Sequence, residues 1–241
     1  MDRALRPGSA VARTLAFGGG LAFLASLVYF LYSYVERFSS TLVASPDGAL
    51  RPALIDVGLL SAFALHHSAF ARLGFKRQVE RVVTPAGERS AYVWISSVLL
   101  VAVCVAWQPV PGALWTAVPD ARPFFNGLQL FGIVVAVRSA GRLDVLELAG
   151  IRQLVGHDRR PPELLRSGAY GLVRHPVYLG WLFLVWFAPV MTGTRLVFAA
   201  ASTIYLIVAV PLEERDLVRA FGQAYEDYRR AVKWRMIPFV F

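Results

Sequence analysis

Six apolar stretches alternate with charged segments along the 241 residues. Val11 to Tyr34 has no charge except Arg13, and Leu54 to Leu73 is interrupted by Asp56, His66, His67 and Arg72. Ala91 to Trp107 is uncharged; Phe124 to Val137 is uncharged and continues weakly past Arg138. Val177 to Thr194 and Leu196 to Leu212 carry no charge at all. Crossing a bilayer takes about twenty such residues as a helix. The pattern therefore predicts an all-α polytopic integral membrane bundle with about six crossings, or five. Counting the last two stretches separately rests on Pro189 and the Met191-Thr192-Gly193-Thr194 turn between them.

The connecting segments have readings of their own. Residues 36–53, with Ser45-Pro46-Asp47-Gly48, predict an external loop. Arg72 to Arg89 mixes Phe75, Val79, Val82 and Val83 with Lys76, Arg77, Glu80 and Arg81, as an interfacial helix on anionic lipid would. Between Trp107 and Pro123, four prolines and two tryptophans predict a compact external loop. Asp144 to Arg160, with His157, predicts extended chain or broken helix at the surface, ended by Pro161-Pro162. The last apolar helix is expected to end at Pro211, and after Glu214 a polar helix with Phe221, Tyr225 and Tyr228 should run to about Lys233. The Gly18-Gly19-Gly20 run lowers helix propensity in water but suits close packing of membrane helices. The first stretch is too long for a signal peptide and has no clean cleavage site. No internal repeat or second soluble domain is apparent, so residues 1–241 read as one domain.

Composition agrees with the pattern. The chain is 56% hydrophobic and 17% charged, against roughly 25% charged for soluble domains. The net charge of +9 is a topological signal and not a nucleic-acid one. With six crossings and both ends on one side, that side holds 21 of the 25 Lys and Arg residues, leaving Arg37, Arg51, Arg122 and Arg195 opposite. By the positive-inside rule both termini are cytoplasmic, and a bacterial plasma membrane is the expected location. The single cysteine, Cys104, excludes an intramolecular disulfide and a cysteine-rich metal site. His66 and His67 are adjacent and lack the i,i+4 spacing of helix-borne zinc motifs, so no metal is expected.

Chemistry collects at the cytoplasmic ends. Arg174-His175-Pro176 stands before an apolar hairpin, and Pro211-Leu212-Glu213-Glu214-Arg215 stands after it. Proline at the first helical position biases His175 out of the helical region. It also leaves backbone N–H groups beside an imidazole and a guanidinium, a setting that attracts anions. Glu213 and Glu214 gain nothing from the helix dipole where they sit. An antiparallel hairpin returns them to the face of Arg174 and His175. Tyr178 is close enough to share that pocket, Gly180 permits close helix approach, and Trp181 and Trp186 wall the cavity or pack on lipid. Arg138, Asp144 and Glu147 either pair with the hairpin cluster or, for Arg138, snorkel to headgroups.

The C-terminal third resembles the membrane methyltransferase superfamily of isoprenylcysteine carboxyl and phospholipid N-methyltransferases. The resemblance rests on Gly168-Ala169-Tyr170-Gly171-Leu172-Val173-Arg174-His175-Pro176-Val177-Tyr178-Leu179-Gly180 and Pro211-Leu212-Glu213-Glu214-Arg215-Asp216-Leu217. It continues through Phe221-Gly222, Tyr225, Tyr228-Arg229 and Arg235-Met236-Ile237-Pro238. Earlier segments, His67-Ser68, Phe75-Lys76, Glu88-Arg89-Ser90 and Asp144-Val145-Leu146-Glu147, are similar to the bacterial methanethiol S-methyltransferase branch and to NnrU-like membrane proteins. The resemblance implies a cofactor-binding core over 168–238. There S-adenosyl-L-methionine would be held by Arg174, His175, Pro176, Tyr178, Gly180, Glu213 and Glu214. It further implies methyl transfer to a small apolar, lipid-soluble thiol such as methanethiol, giving dimethyl sulfide. His67 would accept the thiol proton, while Arg138 or Arg235 would favour the thiolate. O-methylation of a prenylcysteine or lipidic carboxylate, and a non-catalytic NnrU-like role, are the alternatives.

Overall fold

The structure is a computed structural model and describes residues 10–40, 48–71, 85–142 and 163–241. Most of the expected interfacial helix of Arg72 to Arg89 and the whole Asp144 to Arg160 segment, with Glu147 and His157, lie outside the described residues. The helices are α1 (Ala10–Val35), α2 (Leu50–Ala71), α3 (Pro85–Ala106), α4 (Arg122–Ala140), α5 (Pro176–Trp186), α6 (Gly193–Phe221) and α7 (Gln223–Ala231). Two short strands, β1 (Ala113–Thr116) and β2 (Val190–Thr192), form an antiparallel ribbon. Each of the six apolar stretches thus contains a helix, in the expected order, and the chain is an all-α polytopic membrane protein. Among the described residues, four segments are long and apolar enough to cross a membrane: Arg13–Ser39, Leu50–Phe70, Pro119–Ala140 and Gly193–Phe221. Ser90–Ala106 and Pro176–Trp186 are shorter apolar helices.

Two expectations are corrected. The Val177 to Thr194 stretch is helical only to Trp186, which at 1.5 Å per residue is about 16 Å of helix. Pro189 has no N–H to continue the helix and disfavours helical geometry at the residue before it. Val190–Thr192 then pairs with Ala113–Thr116 inside what the sequence predicts to be plain loop. The last apolar helix also fails to stop at Pro211: α6 runs on to Phe221 with Pro211 inside it. A proline removes one hydrogen bond, while Val210 just before it and Glu214 just after it are both buried. The helix ends instead at Gly222, whose φ of +57° is unfavourable for any residue with a Cβ. The polar helix beyond is α7, separate from α6.

The chain falls into two compact units. Among the described residues, one contains Ala10–Val35, 59–71 and 85–107. Within it α1 packs on α3. The glycine run makes this possible: a Cβ on Gly18 or Gly19 would come within 3.0 or 3.2 Å of the Trp94 ring. The Trp94 indole N–H donates to the Leu15 carbonyl at 3.1 Å. Cys104 is fully buried here.

The other unit contains Glu36–Gly58, Gln108–Leu143 and Glu163–Phe241. Its centre is the α4–α5 pair, which crosses at two glycines. A Cβ on Gly180 would lie 2.5 Å from the Gly132 carbonyl oxygen, and one on Gly132 would lie 2.6 Å from that of Gly180. Such an approach is open only to residues without side chains at the contact. Gln129 Nε2 donates to the Leu184 carbonyl at 2.8 Å across the same pair. Trp181 and Trp186, on the other side of α5, donate to Ser202 and Thr203 of α6. These tryptophans are interhelical ties. The ribbon closes the opposite end, where Thr192 caps α6 by accepting from Arg195 N and donates to the Phe38 carbonyl at 2.6 Å.

Candidate functional site

The Arg-His-Pro turn is built by three local devices. Gly168, with φ of +67°, opens a single 3-10 turn over Gly168–Gly171. Arg142, from the end of α4, holds that turn by donating to the Ser167 carbonyl at 2.6 Å and the Ser167 hydroxyl at 2.8 Å. Arg174 and His175 then run beside the C-terminal segment, their N–H groups donating to the carbonyls of Trp234 and Arg235 at 2.9 and 2.8 Å. His175 takes φ −123° and ψ 66°, outside the helical region as the following proline demands, and α5 starts at Pro176.

Glu214 is the hub of the cluster. It is 3% exposed, and its Oε1 accepts from Arg174 Nε at 2.6 Å while His175 Nε2 lies 3.4 Å away. Its other oxygen accepts from Arg235 Nε at 3.3 Å. The Arg174 guanidinium is completed by the carbonyls of Val232 and Lys233, at 2.7 and 2.8 Å. Burying a carboxylate and a guanidinium costs several kcal/mol each, recovered only where the remaining valences are filled. Here they are filled from three directions. The hub therefore clamps α5, α6 and the C-terminal segment together.

Glu213 plays a different part. It is exposed, accepts from the Tyr178 hydroxyl at 2.7 Å, and lies 3.7 Å from His175 Nδ1. The rings of His175 and Tyr178 stack at 5.4 Å with 7° between planes. These groups border a cavity of about 210 Å³ lined also by Leu164, Tyr170, Pro176, Leu217, Phe221, Tyr225 and Tyr228. Its wall is largely apolar and aromatic, with the carboxylates of Glu163 and Glu213 and the Arg174 guanidinium also lining it. That donor set fits a ligand that carries a cationic group on a flat, largely apolar body.

The structure brings together Arg174, His175, Pro176, Tyr178, Glu213 and Glu214 as the hairpin argument expects. Gly180 lies on the same helix but faces α4, where it sets helix spacing. Arg235 reaches Glu214 from the side away from the cavity and borders two neighbouring clefts. Arg138 is exposed in the last turn of α4. His67 is in the other unit, hydrogen-bonded through Nδ1 to the Tyr92 hydroxyl at 2.9 Å. Beside it His66 packs on Phe70 at 4.4 Å, and both of its ring nitrogens are buried without a hydrogen-bond partner among the described residues. Sequence reasoning missed Arg142, Gly132 and the three cavity tyrosines other than Tyr178 as a set. Nothing but their place in the Tyr170, Tyr225 and Tyr228 motif segments pointed to the latter.

Comparison with known proteins places this geometry. Residues 155–241 match the profile of the family described as "Ergosterol biosynthesis ERG4/ERG24 family". The chain is 38% identical to the methanethiol S-methyltransferase of Crocosphaera subtropica, over 81% of this chain and 78% of that protein. It is 36% identical to methanethiol S-methyltransferase 2 of Bradyrhizobium diazoefficiens, over 91% and 87% respectively. A more distant relative is Nurim of Sus scrofa, 29% identical over 88% of this chain and 89% of that protein. No solved structure matches the chain. With this identity over most of both chains, and with the cavity enclosed by the matched segment, the chain belongs to the methanethiol S-methyltransferase family and is a membrane methyltransferase.

Proposed function

We propose that this protein transfers a methyl group from S-adenosyl-L-methionine to methanethiol or a similarly small apolar thiol, giving a thioether such as dimethyl sulfide. The observation that carries the reading is the cavity bounded by His175, Tyr178 and Glu213 on a hub locked by Glu214. It lies within the segment that matches the family profile, and its carboxylate and aromatic faces suit a sulfonium-bearing nucleoside. When bound, the cofactor supplies an electrophilic methyl group that needs no activation by the protein.

The chain's own residues then have three tasks. Glu213, Tyr178 and the His175 ring bind and orient the cationic end, with Pro176 fixing the turn that presents them. Glu214, Arg174 and Arg235 hold that wall rigid, because none of the three can move without exposing a buried charge. Gly180 keeps α5 on α4 and so positions the same turn. On the acceptor side, sulfur attacks as the thiolate; in the unit that carries the cavity, Arg138 or Arg235 would favour the anion, and His67, in the other unit, is the candidate acceptor of the thiol proton. The relatives' names support the thiol. The charge asymmetry supports an even number of crossings, about six, with cytoplasmic termini in a bacterial plasma membrane.

The test uses full-length protein in nanodiscs with labelled S-adenosyl-L-methionine and a panel of methanethiol, longer thiols, a prenylcysteine and phosphatidylethanolamine. Labelled dimethyl sulfide from methanethiol, with little product from the others, is expected. Product from the prenylcysteine alone would replace the thiol with a carboxylate acceptor. Cofactor binding without any methylated product would end the assignment.

A further inference from the structure

Four tyrosines line the cavity, and three have their hydroxyls accounted for. Tyr178 donates to Glu213, Tyr228 donates to the Tyr170 carbonyl at 2.7 Å, and Tyr170 donates to the Ser139 carbonyl at 3.3 Å. Tyr225 is different. It is 1% exposed, lines the cavity, and its hydroxyl is buried with no hydrogen-bond partner among the described residues. Its ring is fixed edge-on to that of Tyr228, 5.7 Å between centroids, so the phenol is held in place.

An unpaired buried hydroxyl is costly, by about 1–3 kcal/mol, and phenylalanine would fill the same space without that cost. The protonation state of the group is settled by its surroundings. Burial first, then the nearby Glu214 charge, pushes the Tyr225 hydroxyl well above its ordinary range. It is a neutral O–H at physiological pH and so a donor that lacks an acceptor.

We propose that Tyr225 is a ligand-binding residue whose hydroxyl donates to an oxygen or nitrogen acceptor of the nucleoside cofactor when the cavity is filled. The inference rests on the S-adenosyl-L-methionine reading above. On this account the apo protein tolerates the orphaned donor because the ligand completes it, as with other sites where the protein's polar groups are left open for a partner. Tyr228 lines the same cavity but is already satisfied, so it belongs to the wall and not to the recognition.

The experiment measures binding of S-adenosylhomocysteine to the full-length protein in detergent, together with thermal unfolding without ligand, for the wild type, Tyr225→Phe and Tyr228→Phe. Tyr225→Phe should bind about three- to tenfold more weakly, the range for one lost hydrogen bond, while its ligand-free Tm is equal or higher. Tyr228→Phe should show the opposite split, a lower Tm from the stranded Tyr170 carbonyl with less change in affinity. Wild-type affinity in Tyr225→Phe overturns the inference and leaves the cofactor reading standing. A fall in its Tm in step with affinity also overturns it, since the role would then be structural. Folded wild-type protein that binds no S-adenosylhomocysteine overturns the cofactor reading and this inference together.

Discussion

Two polar clusters interrupt the apolar helices of this protein, and they are built on opposite principles. Around Glu214 the buried charges meet from three chain segments: Arg174, His175, Arg235 and the carbonyls of Val232 and Lys233 leave the hub closed. Around His66 and His67 the members come from two helices, His67 is tied to Tyr92, and both His66 nitrogens are left open among the described residues. A closed network is a fixed part of the architecture, and its removal should damage fold and function at once. An open one contributes little to the fold, so removal should leave stability nearly intact. The difference is measurable, and it separates residues that hold a site from residues that act in it.

The largest effect is expected at the hub. Glu214→Ala strands the Arg174 guanidinium, and breaking a buried pair in this way costs about 3–5 kcal/mol. Methyl transfer should fall to background and the thermal transition should drop or broaden. An unchanged Tm would mean that the hub is not the closed network drawn here. Next is Gly180→Ala. Its Cβ would sit 2.5 Å from the Gly132 carbonyl and 2.7 Å from Ala136 N, both backbone atoms that cannot step aside. Forced separation of α4 and α5 should cost about 1–3 kcal/mol, with activity falling because the same helix starts at Pro176. If Gly180→Ala keeps full stability but loses cofactor affinity, the glycine borders the ligand directly and the contrast between clamp and cavity moves to that residue. Smaller again is Glu213→Gln. The amide can still accept from Tyr178, and the group is exposed, so stability should change by less than about 1 kcal/mol. Cofactor affinity should fall several-fold, and equal affinity would remove Glu213 from the binding set.

How far these roles could be read from residues follows from the same contrast. Arg174, His175, Glu213 and Glu214 stood out because charges at both ends of an uncharged run need a reason to be there. Their convergence followed from the hairpin alone. The order of helices was legible for the same reason, since apolar length is a one-dimensional property. What was hidden depends on partners distant in sequence. Gly132 is one glycine in a helix until Gly180 is laid against it. The β1–β2 ribbon joins segments some 75 residues apart, neither long enough to announce a strand. Pro211 reads as a helix end locally, yet burial of Val210 and Glu214 carries α6 through it. Tyr225 looked like one aromatic among many, because a missing hydrogen bond cannot be seen before its surroundings are.

His66→Phe is the sharpest test of the open cluster, and its expected effect is the smallest. Phenylalanine keeps a flat ring of similar size against Phe70 and Tyr92. It also removes two nitrogens that are buried without partners. At a closed site such a change strands other groups; here His66 has no hydrogen bond among the described residues to lose. Stability should therefore stay within about 1 kcal/mol of the wild type, on the stabilising side, because an unpaired buried polar group is itself unfavourable. Unfolding curves for His66→Phe and His67→Phe, measured side by side, make the comparison internal: the second variant breaks the Tyr92 hydrogen bond and should be the less stable. Were His66→Phe strongly destabilised, the open cluster would have to be redrawn as a second closed one. Were it stable but inactive, His66 would take a role on the acceptor side like the one proposed for His67, because an imidazole kept at a cost to the fold is kept for chemistry.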